Sequence, residues 1–387
     1  MKNFEIKGRC PGALAPMMSG DGLVVRIRPR AGQVTAAQAR GIAHAAREYG
    51  NGGIDLSSRA NLQLRGVRPE THAALLQALD TLGLLDADPE TEARRNIVVT
   101  PFWSKVGVEP ALASALESGL ATSNLALPGK FGFAVDCGPQ RVLGAVPADI
   151  RIERGDGGRL IVRADGAGFG IPVEVEQAAA VGLALARWFI ASGGINQGRG
   201  RMAAHIRNCA MLPPELTGSS MPAVESATAM PGLMNGGALV AVAFGSMHAD
   251  LLERLAAVAP RLRVTPWRMI FLPGIDRLPT VQDLITHPDD PLLRVEACTG
   301  APCCPQGLAP TRPLARELAT HVPRGRTLHV SGCAKGCACA RPATLTLVAT
   351  TQGYDLVRNG TASSTPVVHG LSADEIVSQP ARYFGGL

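Results

Sequence analysis

The sequence predicts an α+β protein arranged as a pseudo-twofold pair, each half a small α/β unit followed by a larger α+β unit. Three observations carry this. Strand and helix patterns alternate through the first 85 residues, and the stretch 211–237, rich in Pro, Ser, Met and Gly, lacks periodicity and separates two halves. The text after it also repeats the text before it: MPGLMNGGALVAVAF matches CPGALAPMMSGDGLVVRI, RVTPWRMIFLPGI matches DLSSRANLQLRGV, and ATLTLVATTQGYDLVRNG matches ADIRIERGDGGRLIVRADG.

In chain order, the turn-rich run 10–22 leads into an alternating strand at 23–28. A helix is expected from Ala36 to about Tyr49, with Thr35 as its N-cap and Asn51-Gly52-Gly53 ending it. One strand is expected from Ile54 through SSRANLQLRGV, then a helix at 70–84. This strand–helix–strand–helix order has the ferredoxin-like form. Along that second strand Arg59, Asn61, Gln63 and Arg65 alternate, so they are expected on one face, either wet or lining a polar site. Further helices are expected at 110–118, 173–191, before Asn208 and at 249–259, with strands around 150–162 joined at Gly155-Asp156-Gly157-Gly158. The resulting division is 1–85 and 238–285 for the two ferredoxin-like half-domains, 86–210 and 286–387 for the larger units, and 211–237 for the linker. A pair of this kind makes a central cleft, where ligands commonly bind.

Six of the nine cysteines fall between Cys298 and Cys339. Four form a C-x5-C pair, Cys298 and Cys304, and a C-x3-C pair, Cys333 and Cys337. Soft thiolates in two short-range pairs suit a 4Fe-4S cube. Four-residue spacing would turn Cys333 and Cys337 the same way on a helical turn, and Gly332 and Gly336 allow close backbone approach. Cys303 adjoins Cys304 and Cys339 follows Cys337 by two, so the choice of Cys304 rests on spacing. Structural zinc is less suited, since neither pair is the usual C-x2-C knuckle, and simple core cysteines would not cluster so. Cys10, Cys137 and Cys209 read as ordinary thiols.

The net charge is +6, and the only lysines are Lys2, Lys7, Lys105, Lys130 and Lys335. Arginine forks grip carboxylates, so the excess either serves a polyanionic small ligand or reflects coding bias. Aromatics are 4% of the chain and not interleaved with the arginines, which argues against nucleic acid. No signal peptide, apolar span or GK[ST] phosphate loop is present, so a cytoplasmic location and no membrane partner are expected.

Together the halves, the cysteine spacing, SSRANLQ, RRNIVVTP and LPGKFGF resemble the sirohaem-type sulfite and nitrite reductase superfamily over essentially the whole chain. The resemblance implies that the larger units are of nitrite/sulfite-reductase type. In the reductases the positions of Arg59, Arg95 and Lys130 line the anion and tetrapyrrole pocket, so these are the catalytic candidates. Asn61, Gln63, Asn96 and Arg268 join them as substrate-binding candidates, and Cys298, Cys304, Cys333 and Cys337 are the cluster ligands. The last cysteine of the reductase pattern bridges cluster and sirohaem iron, and Cys337 matches it.

Two departures matter. Gly132 stands where the reductases carry a second lysine, and their GCPNGC is GCAKGC here. Both turn the resemblance toward the branch acting on precorrin-3A in aerobic cobalamin biosynthesis. That implies a dioxygen-dependent monooxygenase forming precorrin-3B by ring hydroxylation and lactone closure. It also implies a 4Fe-4S cluster, a second non-haem iron and an unidentified electron donor, NADH-linked or ferredoxin-type. The alternative is a sirohaem-dependent sulfite or nitrite reductase. None of the eight histidines has a context that marks it as a ligand of the second iron.

Overall fold

The computed structural model describes residues 11–208 and 211–384, so Cys10 and Cys209 lie outside the described residues. The chain begins β1 (Met17–Ser19), β2 (Gly22–Ile27), β3 (Gln33–Thr35), α1 (Ala36–Tyr49), β4 (Gly53–Leu56), β5 (Leu62–Val67) and α2 (His72–Thr81). It continues α3 (Pro89–Arg94), β6 (Ile97–Val99), α4 (Glu109–Thr122), β7 (Phe133–Asp136), β8 (Ile150–Arg154), β9 (Leu160–Ala164), β10 (Ile171–Pro172), α5 (Val175–Ala191) and α6 (Met202–Arg207). The second half repeats the first pattern as β11 (Gly232–Met234), β12 (Gly237–Ala241), β13 (Ser246–His248), α7 (Ala249–Val258), β14 (Arg261–Val264) and β15 (Met269–Pro273). It closes with β16 (Val295–Ala297), α8 (Arg312–Leu318), β17 (Leu328–Ser331), β18 (Ala343–Thr350), β19 (Gly353–Gly360), β20 (Val368–Leu371), α9 (Ala373–Ser378) and α10 (Pro380–Phe384).

The small units interlock by trading an edge strand. The first sheet runs β1-β2-β5-β4-β13 and the second β11-β12-β15-β14-β3, so each half completes the other's sheet. Helices α1 and α7 pack together, and Val25, Ile42, Leu64, Val240, Leu252 and Ile270 belong to one shared apolar core. Burying these side chains in common ties the halves at roughly 1.5–3 kcal/mol per large residue. Helix α1 starts as its sequence predicts: Thr35 caps it by accepting from Gln38 N, and the Gln38 side chain reaches back to Thr35 N. The larger units carry β10-β9-β8-β7-β6 and β16-β17-β18-β19-β20, each with three parallel strands next to an antiparallel hairpin.

Two expectations are corrected. The run 54–67 is a hairpin, not one strand: Ser57 N donates to Asn61 O at 2.9 Å, and Ala60 at φ 54 turns the chain. Arg59 and Asn61 therefore sit in the turn, and only Gln63 and Arg65 share a strand face. The turn from Cys333 to Cys337 is not helical, because Gly336 takes φ 64. Of the 211–237 segment, the part before β11 runs as a strap pinned to the first larger unit by bridges at Ser220, Pro222 and Glu225.

Candidate functional site

Adjacent parallel strands bring the cysteine loops together. Ala297 at the end of β16 pairs with Val330 of β17, so Cys298 and the Ser331-Gly332-Cys333 run leave the sheet side by side at the C-terminal ends of parallel strands. Gly332 N donates to Cys298 Sγ at 3.1 Å. The cradle is made of glycine: a Cβ on Gly332 would come within 3.1 Å of Gly300 Cα and 3.5 Å of Cys298 Sγ. Burial raises the Cys333 thiol, the Lys335 backbone lowers it, and Cys304 and Cys298 raise it further. Cys337 is also raised first by burial, with Lys335 opposing and Cys298, Cys333 and Cys304 adding to it.

Cys298 and Cys304 thus lie near enough to bear on the thiols of Cys333 and Cys337. Cys303 instead offers its carbonyl to Ser19 Oγ (2.8 Å), Gly20 N (3.1 Å) and Arg65 Nη2 (3.2 Å), and Cys339 Sγ donates to the Arg341 carbonyl at 3.3 Å. Among the described residues no three His, Cys, Asp or Glu side chains are grouped to hold one ion. Four soft thiolates carried on two loops are the kind of donor a 4Fe-4S cube takes, one per iron. The expected non-haem iron finds no three-donor set among the described residues.

Cys298 and Cys337 open onto a polar cavity of about 310 Å³ that also includes Arg26, Gln63, Arg268 and Arg312. It adjoins an apolar slot of about 520 Å³ walled by Val146, Met230, Phe244, Trp267 and Leu293, with Arg341 and Glu296 at one end. Phe244, Gly245, Arg268 and Ala338 belong to both, making one cleft where the halves meet.

The sequence-predicted residues divide between this cleft and the interior. Arg268 is in the cleft, with φ 61, Nη1 donating to Glu296 Oε2 and Nη2 to the Ala338 carbonyl, each at 3.1 Å. It occupies the turn position of Ala60, since Thr265 N to Met269 O repeats the Ser57 to Asn61 bond; Trp267 is thus the image of Arg59. Gln63 faces the cleft and accepts from Arg26 at 2.6 and 3.1 Å. Arg59 Nη2 donates to the carbonyl of Lys130 at 3.0 Å, and Lys130 is exposed. Asn61 is buried beneath the turn.

Arg95 and Asn96 are placed in the interior. Arg95 is 6% exposed and grips Asp86 with Nε and Nη2, both at 2.8 Å, while Nη2 also meets the Arg28 carbonyl. Asn96 is buried and donates to the Phe131 carbonyl at 2.9 Å. A guanidinium closed on a buried carboxylate has no fork left for a ligand. Sequence reading missed Arg26 and Arg312. Arg26 lies on an alternating strand whose buried face could not be told from its polar face, and Arg312 gains meaning only from the cysteine loop it follows.

Residues 15–82 match the nitrite/sulfite reductase ferredoxin-like half domain. Over 404 aligned residues, 93% of this chain and 84% of the other, the chain is 29% identical to a precorrin-3B synthase from Sinorhizobium sp. The chain is thus similar along its length to a precorrin-3B synthase. The solved Mycobacterium tuberculosis NirA protein shares the fold, with TM-score 0.68 at 17% identity over 94% of this chain and 80% of that one. That similarity bears out the expectation of an enzyme, and the α+β class expected from the sequence stands. Among the described residues no helix is long and apolar enough to cross a membrane.

Proposed function

We propose that this enzyme is an oxygen-dependent monooxygenase converting precorrin-3A to precorrin-3B in aerobic cobalamin biosynthesis. The supporting observation is the cleft itself: Cys298 and Cys337 open beside guanidinium groups and an apolar slot, in a chain similar along its length to a precorrin-3B synthase. Precorrin-3A carries acetate and propionate arms around an apolar ring system. Arg26, Arg268 and Arg312 supply fixed cations for the arms, and Phe244, Trp267 and Met230 supply walls for the ring. Arg26 and Arg268 are held by Gln63 and Glu296, which limits the side-chain entropy lost on binding.

Cys298, Cys304, Cys333 and Cys337 would hold the 4Fe-4S cluster, which when bound supplies electrons one at a time. The net reaction uses one dioxygen, two electrons and two protons; one oxygen enters the macrocycle as hydroxyl, the other leaves as water, and an acetate arm closes the lactone. The electron donor is external, and the cytoplasm is the expected compartment.

The reductase alternative loses support at two places. Asp86 neutralises Arg95, and Gly132 supplies no second lysine, so the cations that grip a small oxyanion in that resemblance are withdrawn here. Incubating anaerobically reconstituted protein with precorrin-3A, a reductant and ¹⁸O₂ tests the reading. A product heavier by one labelled oxygen supports it, an unchanged mass overturns it, and a sirohaem absorption band in the isolated protein would restore the alternative.

A further inference from the structure

The pseudo-twofold creates a second cavity where the cluster loop has no equal. Fourteen residues, 298–311, join β16 to α8, whereas nine, 100–108, join β6 to α4. In the cysteine-bearing half the turn at Ser19 and Gly20 closes on the Cys303 carbonyl. Its image, the turn at Asn235 and Gly236, faces the shorter loop across a cavity of about 710 Å³.

The lining is cationic and aromatic. Arg263 is 4% exposed; Nε donates to Gln33 Oε1 at 3.1 Å, and Nη1 donates to the carbonyls of Pro101 (2.8 Å) and Trp103 (2.6 Å). Its guanidinium lies 3.3 Å over the Trp103 ring. Among the described residues no carboxylate touches it; Glu109 acts only from a distance, and burial together with Arg261 pushes its pKa down to about 10. Arg261 and Lys105, both exposed, complete the cavity with Phe102 and Phe271. In the other half Asp55 stands at the place of Arg263 and pairs with Arg312, whereas among the described residues no carboxylate pairs with Arg263. A buried guanidinium facing neutral acceptors is stabilised by an incoming anion.

We propose that this cavity is a second ligand site, separate from the cysteine cleft, for a phosphate-bearing aromatic molecule. The flat ring lies against Phe102 and Trp103, and the phosphate is drawn to Arg263 and Arg261. Saturation-transfer NMR and titration calorimetry of the full chain with adenosine 5′-monophosphate test it, with adenosine and inorganic phosphate as separate arms. The monophosphate is expected to bind, and each part alone about tenfold more weakly. Arg261→Glu and Lys105→Glu change exposed side chains, so melting temperature should hold while affinity falls about tenfold. Arg268→Ala, in the other cleft, should leave binding unchanged. No monophosphate signal, binding that survives Arg261→Glu in a folded variant, or loss on Arg268→Ala alone overturns the site.

Discussion

Arg312 Nη2 donates to Asp55 Oδ1 at 2.9 Å, joining the start of α8, just past the cysteine loop, to β4 of the first sheet. Arg312 Nη1 also reaches Ser246 Oγ at 2.8 Å on the traded strand β13, so one guanidinium fastens both halves to the cysteine-bearing unit. In the other half the signs are exchanged, with Glu109 opening α4 and Arg263 on β14. The fold repeats while the charges at its joints invert, and only one joint faces four thiols.

Removing Asp55 should loosen that joint. Asp55→Ala leaves Arg312, and Arg65 at 3.8 Å, facing each other without their shared carboxylate. The expected cost is about 2–3 kcal/mol, below that of a fully buried pair because Arg312 keeps partial solvent access. Urea unfolding of Asp55→Ala, Arg312→Leu and the double variant measures it, and additive losses would show that the two side chains do not interact.

Cys303 and Cys304 are neighbours with different work. Cys304→Ser should lose most of the iron and the reduced-cluster resonance after anaerobic reconstitution. Cys303→Ser should keep both, because it is the Cys303 carbonyl that serves the structure, at Ser19, Gly20 and Arg65. Iron and sulfide analysis with electron paramagnetic resonance separates the two, and the reverse pattern would move the ligand to Cys303.

Arg95 and Arg268 should fail in opposite ways. Arg95→Ala leaves Asp86, 3% exposed, with the more exposed Arg30 at 3.0 Å as its remaining ion pair, and is expected to cost about 2–3 kcal/mol of stability while the folded fraction keeps its affinity for a polycarboxylate tetrapyrrole such as uroporphyrin. Arg268→Ala should leave the melting temperature within a few degrees and weaken uroporphyrin binding about tenfold. Fluorescence quenching titrations beside thermal melts decide between them.

What could be read from the sequence follows from how local each signal is. The Thr35 cap and the period of α1 are short-range patterns, and the structure bears them in the places expected. The hairpin at Ser57–Asn61 was hidden because Arg59 and Asn61 continue the two-residue alternation of Gln63 and Arg65 through a turn whose cue is the single positive φ of Ala60. Arg95 read as a ligand-binding cation because Asp86, its partner, lies nine residues earlier beyond a helix boundary. The strand exchange between halves was also beyond local pattern, since β3 and β13 are three residues each and choose their sheets by tertiary packing.

Acid stability should expose two buried groups that oppose each other. His329 is fully buried on β17 with neither ring nitrogen hydrogen-bonded, and burial, then Arg268, lowers its pKa from 6.5 to about 4. A depressed base binds its proton more readily when unfolded, so its contribution is lost as pH falls from about 6.5 toward 4, up to roughly 3 kcal/mol. Asp136, on the equivalent strand β7, is raised by burial from 3.8 to about 6, with the Leu143 and Val142 amides opposing. A raised acid holds its proton in the folded state, so its contribution is lost as pH rises from about 3.8 to 6. Between pH 4 and 6 the two trends offset. Relative to the parent, His329→Leu should therefore gain melting temperature toward pH 4, and Asp136→Asn should gain it toward pH 6. Calorimetric melts across that range check the pair, and parallel curves for all three proteins would show that neither group titrates on unfolding.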